Sequence, residues 1–522
     1  MPPSPVAGPV DGGTVFAPLT TDPTTLNWVR ASDTPAAQIG RLVGDSLVDH
    51  GPDLRYLPRL AERWEISADQ RVITFHLRPG VTWHDGTPFT ASDVVFSYRW
   101  ATDPGNGAAR FAAYFSEVEA VEALTPLSVR VRYRTPFAPA LQGWEALLLL
   151  PAHRYREAAP GTDPQERSPI GTGPFRLERW RQGEEIVLTA NPRYWRGRPH
   201  LDSVVLRIVP DNRTAAGALA AGELTLATLP QSDPPPAAAA SPDGRIRYKR
   251  FATLAIWFIA WNGDGSNPFF ADRRVRRAMT LALDREGFRR SVLHGLGQPA
   301  TSTFVPGTWA YDPSLVPLPY DPAGSARLLD EAGWTDSEGD GVRDRAGRRF
   351  EFTLTAFQGN PIAGQIAQVL QEALAHEGVR MRIETLDWPA FVSKLRSRRY
   401  QAQISTWLLD VDPDPYDNWH SSQIATGNNV TAYADAEVDR YCEAGRATFD
   451  LAARAAAYRE VQARLHRDQP MTFLFHPEWV VGVDARLRGF RVPLSGPWRW
   501  FPGPLTWWLT TARDPLPLDA QG

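Results

Sequence analysis

Phe350-Glu-Phe-Thr-Leu-Thr355 is followed by apolar residues at Ile366, Leu370 and Leu374, and then by Arg380-Met-Arg-Ile-Glu384. The two flanks alternate apolar and polar side chains with period two, the pattern of a strand with one buried face. The middle repeats at helical spacing over Ile362 to Leu374. Strand, helix and strand in succession set the class of this half of the chain as α/β. Working outward, Ala402-Gln-Ile-Ser-Thr-Trp407 and Met471-Thr-Phe-Leu-Phe475 read as further strands. Leu254 to Trp261 is the most apolar run, of a length that suits a buried strand. Asp321-Pro322 opens a helix with Leu328, Leu329 and Ala332 on one side and Gly333 as its stop. Asp272 begins another, with Val275, Met279 and Ala282 on one face. The first half is richer in strands: Val72–Leu77, Ser128–Arg134, Glu185–Thr189 and Val204–Val209. Thr90-Ala-Ser-Asp93 forms a capping box ahead of Val94.

At 522 residues the chain exceeds one compact core. Charged residues make up 22% and apolar ones 43%, with a net charge of -3. That balance excludes the basic footprint of a nucleic-acid binder. Lys249 and Lys394 are the only lysines, so single arginines carry little weight by themselves. The one cysteine, Cys442, excludes an internal disulfide and a cysteine zinc site. No run approaches the roughly 20 apolar residues of a membrane span. Residues 1–13 are rich in Pro and Gly and are expected to be disordered. They contain no basic residue and no apolar stretch of secretory type, so no leader is visible. Ser232 to Ser241 reads as an exposed connection.

Four motifs touch chemistry. Gly44-Asp-Ser-Leu47 and Asp417-Asn-Trp-His420 spell the elements of a serine-esterase family, with Ser46 as nucleophile and His420 as base. The plainer reading puts Ser46 on the surface of an amphipathic helix running from Ile39 to Val48. Asp336-Ser-Glu-Gly-Asp-Gly-Val-Arg-Asp344 imitates the start of a calcium loop, but Gly347 stands where a bidentate Glu is needed, so an acidic turn is expected. The histidines show no pair at metal-ligand spacing, and no metal or other cofactor is expected. Trp407-Leu-Leu-Asp-Val-Asp-Pro-Asp-Pro415 follows a strand directly. Asp410, Asp412 and Asp414 therefore lie at a strand's carboxyl end, a favoured ligand position. A carboxylate beside a Trp face can take an ammonium group.

The ordered set of short motifs resembles the family 5 bacterial extracellular solute-binding proteins, the oligopeptide-, dipeptide- and nickel-binding components of ABC importers. The set begins with Pro58-Arg-Leu-Ala-Glu-Arg-Trp-Glu65, Thr74-Phe-His-Leu-Arg78 and Trp83-His-Asp-Gly-Thr-Pro-Phe-Thr-Ala-Ser-Asp-Val-Val95. It continues with Pro169-Ile-Gly-Thr-Gly-Pro-Phe175, Asn191-Pro-Arg-Tyr-Trp195, Asp272-Arg-Arg-Val-Arg-Arg-Ala278 and Asp412-Pro-Asp-Pro415. The resemblance implies a two-lobed, periplasmic-binding-protein-like α/β fold of type II, with a ligand cleft between lobes. Lobe I would combine residues 14–48, 172–258 and 479–522, with an inserted subdomain at 49–171; lobe II would span 259–478.

It also implies a non-enzymatic monomer at the periplasmic or extracellular face of the membrane. Such a protein binds a peptide-like solute and delivers it to permease subunits. A nickel-complex or oligosaccharide receptor is the alternative within the family. In peptide-binding relatives an Asp three residues after a strand-end Trp receives the ligand's amino group, which falls here on Trp407 and Asp410. By position, Thr406 and Asp412 from one lobe, and Ser32, Asp33, Thr34, Phe111 and Tyr114 from the other, would face the solute.

Overall fold

The computed structural model describes residues 8–159, 161–231, 234 and 240–510. The chain divides into two units, residues 1–251 with 479–522, and residues 252–478. Residues 1–7 and most of the 232–241 connection lie outside the described residues. Gly12 is held by a backbone bond from its N–H to the His200 carbonyl, 2.7 Å.

The second unit is organised on strand Ala255–Trp261, all seven of whose residues are buried. A continuous apolar run is what a strand covered on both faces requires. The six-stranded sheet runs in the order Gln298–Pro299, Met471–His476, Ala255–Trp261, Ala402–Leu408, Glu351–Phe357, Arg380–Leu386. Glu351–Phe357 pairs in parallel with both Arg380–Leu386 and Ala402–Leu408, so these three carboxyl ends share one edge. Helix Pro361–His376 makes the crossover. Asn360 caps it by accepting from Ile362 and Ala363, at 3.0 and 3.2 Å, and it buries Ile366, Leu370 and Leu374. The caps at Asp272 and Asp321 form as the sequence suggests, each accepting a backbone N–H of the first turn.

The first unit carries three sheets of three or more strands. One orders Thr14–Leu19, Ser203–Ile208, Glu185–Ala190 and Phe175–Arg181. A second, all antiparallel, orders Ala61–Ile66, Val72–Leu77, Ser128–Tyr133 and Val118–Thr125. The third orders Leu226–Thr228, Glu478–Asp484 and Ile246–Ala252. Asp93, expected to close a capping box, accepts from Thr90 N–H at 2.9 Å and from Ala152 N–H at 3.1 Å.

Ser46 departs from expectation. The helix is Thr34–Val43, and Gly44 leaves it in an extended conformation. Asp45 is drawn inward, where it accepts from Thr172 Oγ1 at 2.9 Å, Tyr194 Oη at 3.3 Å and Arg59 Nε at 2.5 Å. Those bonds would be lost if the helix continued, so Ser46 is buried rather than on a helix surface. The Gly171-Thr-Gly-Pro174 turn passes so close that a Cβ on Gly171 would meet the Val43 carbonyl oxygen at 1.9 Å.

Packing and burial set the expected stability changes. Gly171→Ala should lower stability by about 3 kcal/mol through that clash. Gly364→Ala, in the crossover helix with nothing near its Cβ position, should raise it by about 0.5–1 kcal/mol; chemical denaturation reads both. His476, buried in the sheet and bonded through Nδ1 to the Ala255 carbonyl at 2.9 Å, has its pKa pushed down to about 4 by burial. The unfolded chain then takes up the proton first as pH falls. Stability should be complete above about pH 6.5 and decline by about 1–3 kcal/mol toward pH 4. In His476→Gln that decline should be shallower.

Candidate functional site

Strand Ala402–Leu408 is buried from Ala402 to Ser405, half-buried at Thr406 and Trp407, and open at Leu408, which is 81% exposed. Leu409 N–H still bonds the Leu254 carbonyl at 2.8 Å. Beyond it, Pro413 and Pro415 have no N–H to offer a ladder, so the chain leaves the sheet as a loop. Trp407 is braced underneath: its ring lies 4.6 Å from Phe258 and edge-on to Trp419 at 6.1 Å.

The three loop aspartates separate by environment. Asp412 is buried and takes a bidentate pair of bonds from Arg454, at 2.7 and 2.8 Å. Arg454 also donates Nε–H to the Gly445 carbonyl at 2.9 Å and lies over Trp309. Asp414 accepts from Arg446 Nε at 2.7 Å and from Tyr416 N–H at 3.2 Å. Burial raises the Asp414 pKa, and Arg446 opposes that shift. Asp410 is the exposed one. Of the residues assigned to the solute in this unit, Trp407, Thr406 and Asp410 thus sit together at the strand end. Asp412 is committed to holding the loop. Neither Arg446 nor Arg454 was singled out from sequence, because their partners stand 32 and 42 residues away.

In the first unit, Ser32 and Thr34 are exposed at the start of helix Thr34–Val43. The Asp33 carboxylate is occupied: it caps that helix through Ala36 N–H at 2.8 Å and accepts from Thr24 Oγ1 at 2.5 Å. Phe111 is wholly buried against Phe115, while Tyr114 is half-buried. These placements leave Ser32, Thr34 and Tyr114 accessible, engage the Asp33 carboxylate in the helix cap and bury Phe111.

The esterase reading does not survive the geometry. Ser46 Oγ is enclosed and donates to the Val48 carbonyl at 2.6 Å. His420 Nδ1 is engaged with Ser422 Oγ at 2.8 Å. The Asp336–Asp344 segment is an acidic turn in which Asp336 accepts from the N–H groups of Gly339, Asp340 and Gly341.

One group among the described residues has metal-ligating spacing: Asp49, His50 and Glu145, all buried. Arg41 bridges Asp49 and Glu145, and Arg59 holds the second oxygen of Asp49. The guanidinium groups occupy the place a cation would take, so the donor set is poorly suited to a metal.

The family model for the bacterial extracellular solute-binding proteins, family 5 Middle, matches residues 55–429. The chain belongs to this family. The oligopeptide-binding protein AppA of Bacillus subtilis is 31% identical over 497 residues, covering 92% of this chain and 90% of that protein. Its structure in complex with a nonapeptide aligns with a TM-score of 0.79 at 28% identity, over 96% of this chain and all of that one. NikZ of Campylobacter jejuni, solved with a nickel–histidine complex, aligns at a TM-score of 0.78 and 24% identity, over 95% of this chain and 99% of that one; at that identity it shares the fold. The periplasmic-binding-protein-like α/β fold of this family is therefore that of the chain.

The Asp412–Arg454 pair should be indispensable to the loop. Arg454→Ala would leave a buried carboxylate without its partner and should cost about 3–5 kcal/mol, measurable by chemical denaturation. Replacing Asp410, which is exposed, should leave stability within about 0.5 kcal/mol of wild type.

Proposed function

We propose that this chain is the extracytoplasmic solute-binding component of an ABC importer, and that it captures a peptide through the free amino terminus. The observation that carries the reading is the sorting of the loop aspartates. Asp412 is buried and Asp414 half-buried, each against an arginine, and Asp410 is the exposed one of the three, three residues beyond a braced Trp407 at the sheet's carboxyl edge. An exposed carboxylate beside an indole offers an ammonium group charge, hydrogen bonds and a π face together. The oligopeptide-binding relative, alike over nine-tenths of both chains, supports a peptide as the solute. No chemical step is assigned to the protein. Binding favours one conformation of the protein, which the permease subunits then recognise. The protein acts as a monomer at the periplasmic or outer face of the membrane. Among the described residues no helix is long and apolar enough to cross a membrane.

Calorimetry with trialanine, its N-acetyl form, nickel–histidine and an oligosaccharide tests this reading. Trialanine should bind, and acetylation should weaken binding. Asp410→Ala should cost about 2–3 kcal/mol, a loss of roughly 30- to 150-fold in affinity, as expected for a charged hydrogen bond. Equal affinities for wild type and variant would remove Asp410 from the site. Binding of the nickel complex or the sugar alone would replace the peptide as solute.

A further inference from the structure

In the second unit one enclosed cation meets no acid. Arg285, the first residue of the short helix Arg285–Ser291, donates Nη1–H groups to the Phe473 and Ala300 carbonyls, at 2.6 and 3.3 Å, and Nη2–H to the Leu318 carbonyl at 2.5 Å. These bonds use three of the five N–H groups of the guanidinium, leaving one on Nη2 and the one on Nε. Among the described residues Arg285 forms no ion pair, and burial pushes its pKa down to about 10 with no carboxylate to oppose the shift. The acids beside it in sequence are spent: Asp284 accepts the Gly287 N–H at 2.7 Å, and Glu286 pairs with Arg289 at 2.7 Å. Buried Arg59 and Arg454, by contrast, each hold a carboxylate.

Arg285 also lines a small cavity, whose other walls are Leu283, Phe288, Ile366, Leu474 and Phe475. None of those five side chains can accept a hydrogen bond or carry charge. The Phe288 and Phe475 rings stack there with centroids 6.2 Å apart, and the edge of an aromatic ring is its positive part. Phe475 also stacks on Trp257, whereas Trp407 packs on Phe258, the next residue of the same strand. Successive strand residues point to opposite faces, so the cavity and Trp407 lie on opposite sides of the sheet. A charge taken out of water without a counter-ion is costly, and carbonyl dipoles offset only part of that cost.

We propose that this cavity is a site for a small monovalent anion of chloride's size. Arg285 supplies the opposite charge and its two unused N–H groups, and the ring edges and aliphatic walls supply contact. The lining also sets selectivity. Gluconate is too large, and a divalent oxyanion such as sulfate would leave most of its oxygens without donors. The bound ion neutralises the guanidinium that ties strand Met471–His476 and the Leu318 loop to the helix, so it stabilises the folded chain.

The test is thermal unfolding of the full chain as sodium chloride replaces sodium gluconate at constant ionic strength. The wild-type midpoint should rise by about 3–6 °C and level off as the site fills. Arg285→Met, which removes the charge, and Leu283→Phe, which fills the cavity, should both lose the rise. An equal wild-type midpoint in the two salts overturns the site, as does a rise that either variant keeps. Should Arg285→Met fail to fold, wild-type crystals grown in sodium bromide decide by anomalous scattering. A bromide peak against the Arg285 guanidinium supports the site, and the lack of one there overturns it.

Discussion

The loop after strand Ala402–Leu408 depends on one buried ion pair. Two prolines deprive it of main-chain donors, so side chains must fix its course. Arg454 does this with both ends of its fork on Asp412 and its third donor on the Gly445 carbonyl. A pair buried this deeply gains little net stability over an apolar substitute, since both charges give up their hydration. Its contribution is to position. The loop has one low-energy course because any other would strand a charge, and that course leaves Asp410 facing water.

The first unit solves a similar problem with different parts. Its helix Thr34–Val43 ends early because Asp45 is more useful inside, under Arg59, Thr172 and Tyr194, than as the next helical residue. The neighbouring turn supplies Gly171 and Gly173 where backbone meets backbone, and a side chain at either position would strike Val43. A motif that spells a serine nucleophile is here a packing arrangement. Gly44 releases the helix, Asp45 anchors the segment, and Ser46 satisfies a carbonyl two residues on.

The sheet of the second unit was legible because its strands and crossover helix carry clean periods of two and of 3.6, and because Ala255–Trp261 is apolar throughout. The caps at Asp272, Asp321 and Thr90–Asp93 were legible because capping is local, decided within four residues. The strand end at Trp407 was legible for the same reason. The helix end at Val43 was not, since its cause lies at Arg59, Thr172 and Tyr194. The bonds of Asp412 to Arg454 and of Asp33 to Thr24 were also hidden. An aspartate that binds a solute and one that binds an arginine or caps a helix have the same local sequence, and only the partner tells them apart.

Where that partner is a permanent cation it is nearly always arginine, for the chain holds only two lysines. Abundance makes any single arginine uninformative, yet the pairing rule it obeys is informative. In both units the buried carboxylates of the ion-pair clusters are met by guanidinium groups, and such pairs are costly to leave incomplete. Against that background the exceptions stand out. Asp410, exposed at the end of a braced strand, is one of them. Recognition draws on groups that solvent can reach, because a bound ion must exchange its hydrogen bonds to water for bonds to the protein.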